Sequence, residues 1–203
     1  MHWERIYRTR DVHEVSWFQE HSTQSIELIK KTGISLGAKI IDVGGGASTL
    51  VDDLLDQRYS EITVLGIWGT ALRRSENRLG RRASLVTWLE LDITRAELAP
   101  NFYDVWHDRA VFHFLTNETD RAQYVRAVRR SVKTGGHIIV ASFGLGGPEK
   151  CSGLNVVRYS AESMHGESGN DFELVDATTE VHHTPFGNEQ QFIYCYCRKT
   201  VGR

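Results

Sequence analysis

Cysteine is scarce in this chain: three in 203 residues, Cys151, Cys195 and Cys197. That is too few for a disulfide framework, and reduced thiols suit a reducing compartment, so a cytoplasmic location is expected. No sign of charge dominates either. Lys plus Arg, 24, against Asp plus Glu, 26, leaves a net charge of −2, with no global field to recruit nucleic acid or an anionic membrane. No apolar run is long enough to span a bilayer, and the first residues lead into charged sequence, so no signal peptide is expected. Repeats, linkers and low-complexity segments are missing as well. What remains is an ordinary globular composition, 40% hydrophobic and 25% charged, at a length that suits one domain over 1–203.

The most informative stretch runs from Ala38 to Leu50. Ile40, Ile41 and Val43 read as a strand apolar on both faces, Gly44, Gly45 and Gly46 as a turn bare of side chains, and Ser48 as the N-cap of a helix beginning near Leu50. A ligand can approach such a backbone closely. A dinucleotide fold would want G-x-G-x-x-G, and Gly44, Gly46 and Thr49 miss its third glycine. The residue before the turn, Asp42, is a poor neighbour for pyrophosphate and a good one for an ammonium group.

Around this stretch strand and helix alternate. A helix from Ser22, closed by Lys30, Lys31 and Gly33, precedes the glycine loop. Strands follow over 62–65, 84–89, 102–107 and 137–143, with helices over 71–79 and 120–132, the latter ended by Gly135 and Gly136. A short helix from Ser160 and two strands around Pro185 and Gly187 complete the chain as an antiparallel hairpin. The expected fold is α/β: a three-layer Rossmann-like sandwich on a mostly parallel seven-stranded sheet, with an aromatic cover segment over 1–21, a core over 38–143 and a substrate-side loop with the hairpin over 144–203. Ligands of such sheets lie beyond the carboxyl ends of the strands, so site residues are expected there.

Those strand ends supply Asp42, Gly66-Ile67-Trp68, Asp92 with Ile93, and His107 to Arg109. Together with Asp-Val-Gly-Gly-Gly-Ala-Ser they resemble class I S-adenosylmethionine-dependent methyltransferases. The stretch from Tyr103 to Leu115 is similar to the branch that includes thiopurine and tellurite methyltransferases, whose acceptors are small molecules. The segments Trp3 to Tyr7 and Ser16 to Gln19 look like the N-terminal cover of other relatives, some of them protein lysine methyltransferases. The resemblance implies S-adenosylmethionine as cofactor and S-adenosylhomocysteine as product, bound by Asp42, Gly44, Gly45, Gly46, Ser48, Gly66, Ile67, Trp68, Asp92, Ile93, His107 and Trp17. Asp92 would take the adenine amino group, with Ile93 beside the ring.

Methyl transfer from a sulfonium needs a held lone pair and a dry site, and no metal. Tyr7, Trp17 and Phe18 could cover the sulfonium by cation–π attraction. His113 or His107 could take a proton from the nucleophile. The pair Cys195 and Cys197, with His182 and His183, matches no standard zinc spacing, so no metal site is expected. Arg73, Arg74, Arg78, Arg81 and Arg82 read as a solvated helix face and its exit, because no stacking aromatics accompany them.

One departure stands out. Where the family carries an acid for the ribose hydroxyls at the end of the second strand, this chain has Gly66, and Trp68 stands where a small residue is usual. Three functions therefore stay open: a small-molecule methyltransferase, a protein lysine methyltransferase, and a cofactor-binding protein without turnover.

Overall fold

The computed structural model describes residues 15–200. Five parallel strands come first: β1 (Lys39–Val43), β2 (Glu61–Gly66), β3 (Val86–Glu90), β4 (Tyr103–Arg109) and β5 (Val132–Phe143). Two short strands, β6 (Lys150–Cys151) and β7 (Leu154–Asn155), form a small ribbon of their own. The antiparallel pair β8 (Phe172–His183) and β9 (Glu189–Lys199) then completes a seven-stranded sheet in the order β3-β2-β1-β4-β5-β9-β8.

Helix α1 (Thr23–Lys31) precedes β1, and the connections between strands carry α2 (Leu50–Asp56), α3 (Gly69–Leu79), α4 (Glu118–Ser131) and α5 (Ala161–Ser168). Successive strand residues point to opposite faces, so a strand covered on both sides must be apolar throughout. Ile40 packs with Ile29 of α1, Leu54 of α2 and Leu72 of α3, whereas Ile41 packs with Tyr124 and Val128 of α4 and Met164 of α5. Two hydrophobic cores result, one on each face of the sheet, which makes the three layers.

Local chemistry sets the ends of the elements. The Asn117 side chain accepts the Asp120 N–H at 2.8 Å to start α4, and Ser160 opens α5 with a capping box to Ser163. The chain leaves α1 through Gly33, which turns at φ +72°.

Three boundaries differ from the sequence reading. A 3-10 stretch, Gly80–Leu85, continues from α3, so the third strand starts at Val86 and not at residue 84. Gly135 and Gly136 lie inside β5, because the helix already ends at Ser131 and the ladder to β4 shifts register between Tyr103 and Val105 to absorb the extra residues. The ribbon β6–β7 was not foreseen. Its turn residues Ser152 and Gly153 both have positive φ, +51° and +83°, the geometry of a two-residue hairpin turn.

The sheet order reverses between β1 and β4. The crevice at that switch point opens beyond the ends of β1, β2 and β4.

Candidate functional site

The glycine loop follows β1 directly. Gly44 turns at φ +79°, and its N–H donates to Leu65 O at 2.7 Å. A Cβ there would lie 2.0 Å from Val111 Cγ2, and a Cβ on Gly45 would lie 2.1 Å from Asp42 Oδ2, so any side chain would fill the space beside the carboxylate. The start of α2 corrects one expectation. Thr49, not Ser48, is the N-cap, and Ser48 Oγ accepts the Leu50 N–H at 3.1 Å one step earlier in the turn.

A cleft of about 260 Å³ opens on one side of this loop. Trp17, Gly44, Gly46, Gly66, Ile67, Trp68, Asp92 and Ile93 line it together, as the strand-end argument expected. A smaller cavity of about 50 Å³ on the other side of the loop is bounded by Asp42, Gly45, Ser48 and His107, with Trp17 and Phe18 above. Tyr7 and Trp3 lie outside the described residues.

Asp42 is 2% exposed. Its Oδ1 accepts from His107 Nδ1 at 2.8 Å, the two residues facing each other across the β1–β4 ladder. Oδ2 is buried and has no hydrogen-bond partner among the described residues. A buried carboxylate oxygen left bare is costly, and a bound cationic donor would satisfy it.

Both histidines expected to act on a proton are buried. His107 lies beside Asp42 with both ring nitrogens occupied, Nε2 meeting Ser25 Oγ at 2.9 Å, so neither nitrogen is free to take a proton from an acceptor. His113 has no exposed surface, packs against Phe143 in a tilted arrangement with ring centroids 4.6 Å apart, and is not among the residues lining the cleft. Burial, assisted by the charge of Arg109, pushes its pKa down to about 3, so the ring is neutral at physiological pH. It is part of the core.

The exit of β4 holds what the sequence reading underweighted. Asp108 is fully buried, accepting the Val111 and Phe112 N–H groups at 2.9 and 3.2 Å and the Tyr124 hydroxyl at 2.7 Å. Burial raises its pKa to about 7 against those donors, and the three bonds fix the turn that sets Val111 against Gly44. Arg109 lines both cavities. Its guanidinium sits 4.2 Å above the Phe192 ring, donates from Nε to Tyr194 at 3.0 Å and from Nη1 to Trp17 O at 3.3 Å, and lies 3.6 Å from Glu180. Cys151, on the unforeseen ribbon, also reaches the cleft, and burial raises its thiol to about 11. Nothing in the local sequence marks Cys151 as a wall residue.

The far end of the cleft is different in kind. Gly66 brings no side chain, Ile67 is half exposed, and the Trp68 Nε1 is buried with no hydrogen-bond partner among the described residues. Asp92 is fixed in a tight turn, Oδ1 accepting both the N–H and the hydroxyl of Thr94 at 2.9 and 2.7 Å.

Elsewhere the surface is quiet. Arg78 pairs with Asp52 and Arg82 with Asp56, each at 2.6 Å, so two of the clustered arginines are tied to α2. Cys195 and Cys197 share a strand face with Sγ atoms 3.8 Å apart, and among the described residues no group of three or more metal-ligating side chains forms. Nor is any helix among them long and apolar enough to cross a membrane.

A seven-stranded sheet of this order carries a glycine loop after β1 and a buried carboxylate beside that loop. Residues 41–140, just under half of the chain, match the family model described as a methyltransferase domain, which together with the fold supports an S-adenosylmethionine-dependent methyltransferase with S-adenosylmethionine as cofactor. The residues present fit that group: the glycine loop leaves room that a Cβ would fill, and Asp42 Oδ2 has no hydrogen-bond partner among the described residues.

Among solved structures, the fold resembles the N-methyltransferase NodS from Bradyrhizobium japonicum, at TM-score 0.74 and 16% identity over 97% of this chain and 95% of that one. It also resembles the 1,6-didemethyltoxoflavin-N1-methyltransferase from Burkholderia thailandensis, at TM-score 0.71 and 14% identity over 98% of this chain and 83% of that one. A curated relative, the eEF1A lysine and N-terminal methyltransferase of Danio rerio, is 23% identical over 87% of this chain, which spans only 26% of that protein's length.

Proposed function

We propose that the chain transfers a methyl group from S-adenosylmethionine to a nucleophilic atom of a small molecule by direct in-line displacement. The bare, buried oxygen of Asp42 beside the glycine loop carries this reading, because it suits the ammonium of a methionine moiety and little else that a glycine loop binds. The cofactor supplies a sulfonium-bound methyl open to attack from the side opposite sulfur.

In this reading Asp42 Oδ2 takes the ammonium, Gly44 and Gly46 let the ligand lie on the backbone, Asp92 takes the adenine amino group with Ile93 against the ring, and Trp17 covers the sulfonium. Beyond Gly44 the wall turns apolar, with Val111, Phe114 and Leu115 in a confined cleft, which favours a small acceptor over a side chain presented by a protein surface. Among the described residues of that wall the titratable groups are Asp92, Arg109 and Cys151, and none is free to act as a base near the Gly44 end. This wall suits an acceptor whose lone pair is already available at neutral pH, such as a weakly basic aromatic amine, a thiolate or a carboxylate.

The relative from Danio rerio keeps a second reading alive, methylation of a protein lysine or N-terminus. One experiment separates the readings: incubation with methyl-labelled cofactor and a whole-cell lysate, then separation of the label by molecular size. Label in the small-molecule fraction is the expected outcome. Label in protein would replace this reading by the second one, and S-adenosylhomocysteine binding without labelled product would mark a chain that binds cofactor without turnover.

A further inference from the structure

The carboxylate of Asp42 does not stand alone in the core. Its Oδ1 accepts from His107 Nδ1 at 2.8 Å, and His107 Nε2 meets Ser25 Oγ at 2.9 Å. Asp42, His107 and Ser25 are each 2% exposed or less and come from three elements, β1, β4 and α1.

A carboxylate can only accept, so His107 Nδ1 carries the proton it shares with Asp42. The imidazole plane is then held from behind by Ser25, whose hydroxyl can donate or accept. This leaves the Asp42 carboxyl little freedom to rotate: one oxygen is spent on His107, and the other is presented at Gly45, where a Cβ would lie 2.1 Å from it. A carboxylate free to turn would divide its time between orientations and would spend binding energy on being ordered.

We propose that His107 and Ser25 are positioning residues for the cofactor's amino-acid end: they lock Asp42 so that Oδ2 alone faces the ammonium. The proposal rests on the reading of Asp42 as the ammonium site. It goes beyond that reading in assigning a role to two buried residues that touch neither cofactor nor acceptor.

The test uses two ligands that share adenosine but not the amino acid: S-adenosylhomocysteine and 5′-methylthioadenosine. Calorimetry on the intact chain compares the parent with D42A, H107N, H107Q and S25A, each checked for a cooperative melt. An asparagine amide can replace Nδ1 and still donate to Asp42, whereas a glutamine amide reaches toward the Nε2 position. H107Q should therefore lose about tenfold or more in S-adenosylhomocysteine affinity and less than about twofold for 5′-methylthioadenosine, H107N should recover most of the loss, and S25A should show the same selective loss, smaller.

If D42A weakens S-adenosylhomocysteine selectively and H107Q and S25A do not, the ammonium reading stands and the positioning role is overturned. Equal loss of both ligands in H107Q and S25A would make the two residues merely structural, and again overturn it. If D42A itself leaves the ratio of the two affinities unchanged, the ammonium reading fails, and the proposal with it. Should H107Q not fold, S25A and H107N decide: S25A must lose selectively while H107N does not.

Discussion

The two sides of the glycine loop are built on opposite plans. On the Asp42 side the polar groups hold one another, from Asp42 through His107 to Ser25, and Asp42 Oδ2 has no hydrogen-bond partner among the described residues. On the β2 side Gly66 brings no side chain, Ile67 is half exposed, and Trp68 Nε1 is buried with no hydrogen-bond partner among the described residues. The difference teaches where recognition lies. If the amino-acid half of the cofactor meets the held carboxylate and the ribose half meets only shape and an indole, as proposed, affinity should respond strongly to changes on the first side and be open to improvement on the second.

The largest effect should come from the locked side. Asp42→Ala removes the charge-assisted bond and should weaken S-adenosylhomocysteine by about a hundredfold in calorimetry. The domain should still fold, at a cost of about 1–3 kcal/mol for the His107 donor left without its acceptor. Wild-type affinity in this variant would erase the contrast between the sides.

The open side should allow a gain. A Cβ on Gly66 would lie 3.3 Å from the Leu72 side chain and 3.6 Å from Gly46 Cα, so an acid fits with a small shift of Leu72. Gly66→Asp combined with Trp68→Ser should restore a charged bond to ribose worth roughly 1.5–3 kcal/mol, or about ten- to a hundredfold in affinity, and Gly66→Asp alone should gain less because the indole stays. A double variant no tighter than the parent would mean that another group already holds the ribose.

A smaller effect tests the core beneath the cleft, where two buried groups oppose each other. His113, pushed from 6.5 to about 3, favours the neutral ring in the fold, so its contribution is lost as pH falls below about 6.5. Asp108, raised from 3.8 to about 7, favours the protonated acid in the fold, so its contribution is lost as pH rises through the same window. In the parent the two slopes offset each other. Denaturant titrations across the window should show His113→Gln becoming relatively more stable toward acid and Asp108→Asn relatively less, each by about 1 kcal/mol per pH unit or less. Parallel slopes in the two variants would contradict these assignments.

The smallest effect belongs to Trp17, on the covering side of both cavities. Trp17→Ala should slow transfer several-fold with the domain intact, since the ring covers the cleft and does not hold the carboxylate. Unchanged turnover would remove it from the cover.

Much of this architecture was legible in the residues, for physical reasons. Strands sealed on both faces must be apolar throughout, which made the Ile40 and Ile138 runs readable, and the glycine loop with Asp42 is chemistry written in adjacent positions. Contacts distant along the chain were not legible. Ser25 lies 82 residues from His107 and Asp42 lies 65, and only the folded register shows that His107 is spent on holding Asp42. His113 looked like a base because composition cannot report burial. Cys151 entered the cleft wall through a two-residue turn at Ser152 and Gly153, in a stretch that reads as plain loop.

A structure of the chain with S-adenosylhomocysteine bound tests most directly the role of Asp42 Oδ2, which has no hydrogen-bond partner among the described residues. The amino nitrogen should lie within about 3.2 Å of Oδ2, with Oδ1 still on His107 and no carboxylate on the ribose. A ligand seated elsewhere, or one in this cleft that leaves Oδ2 unpaired, would contradict it.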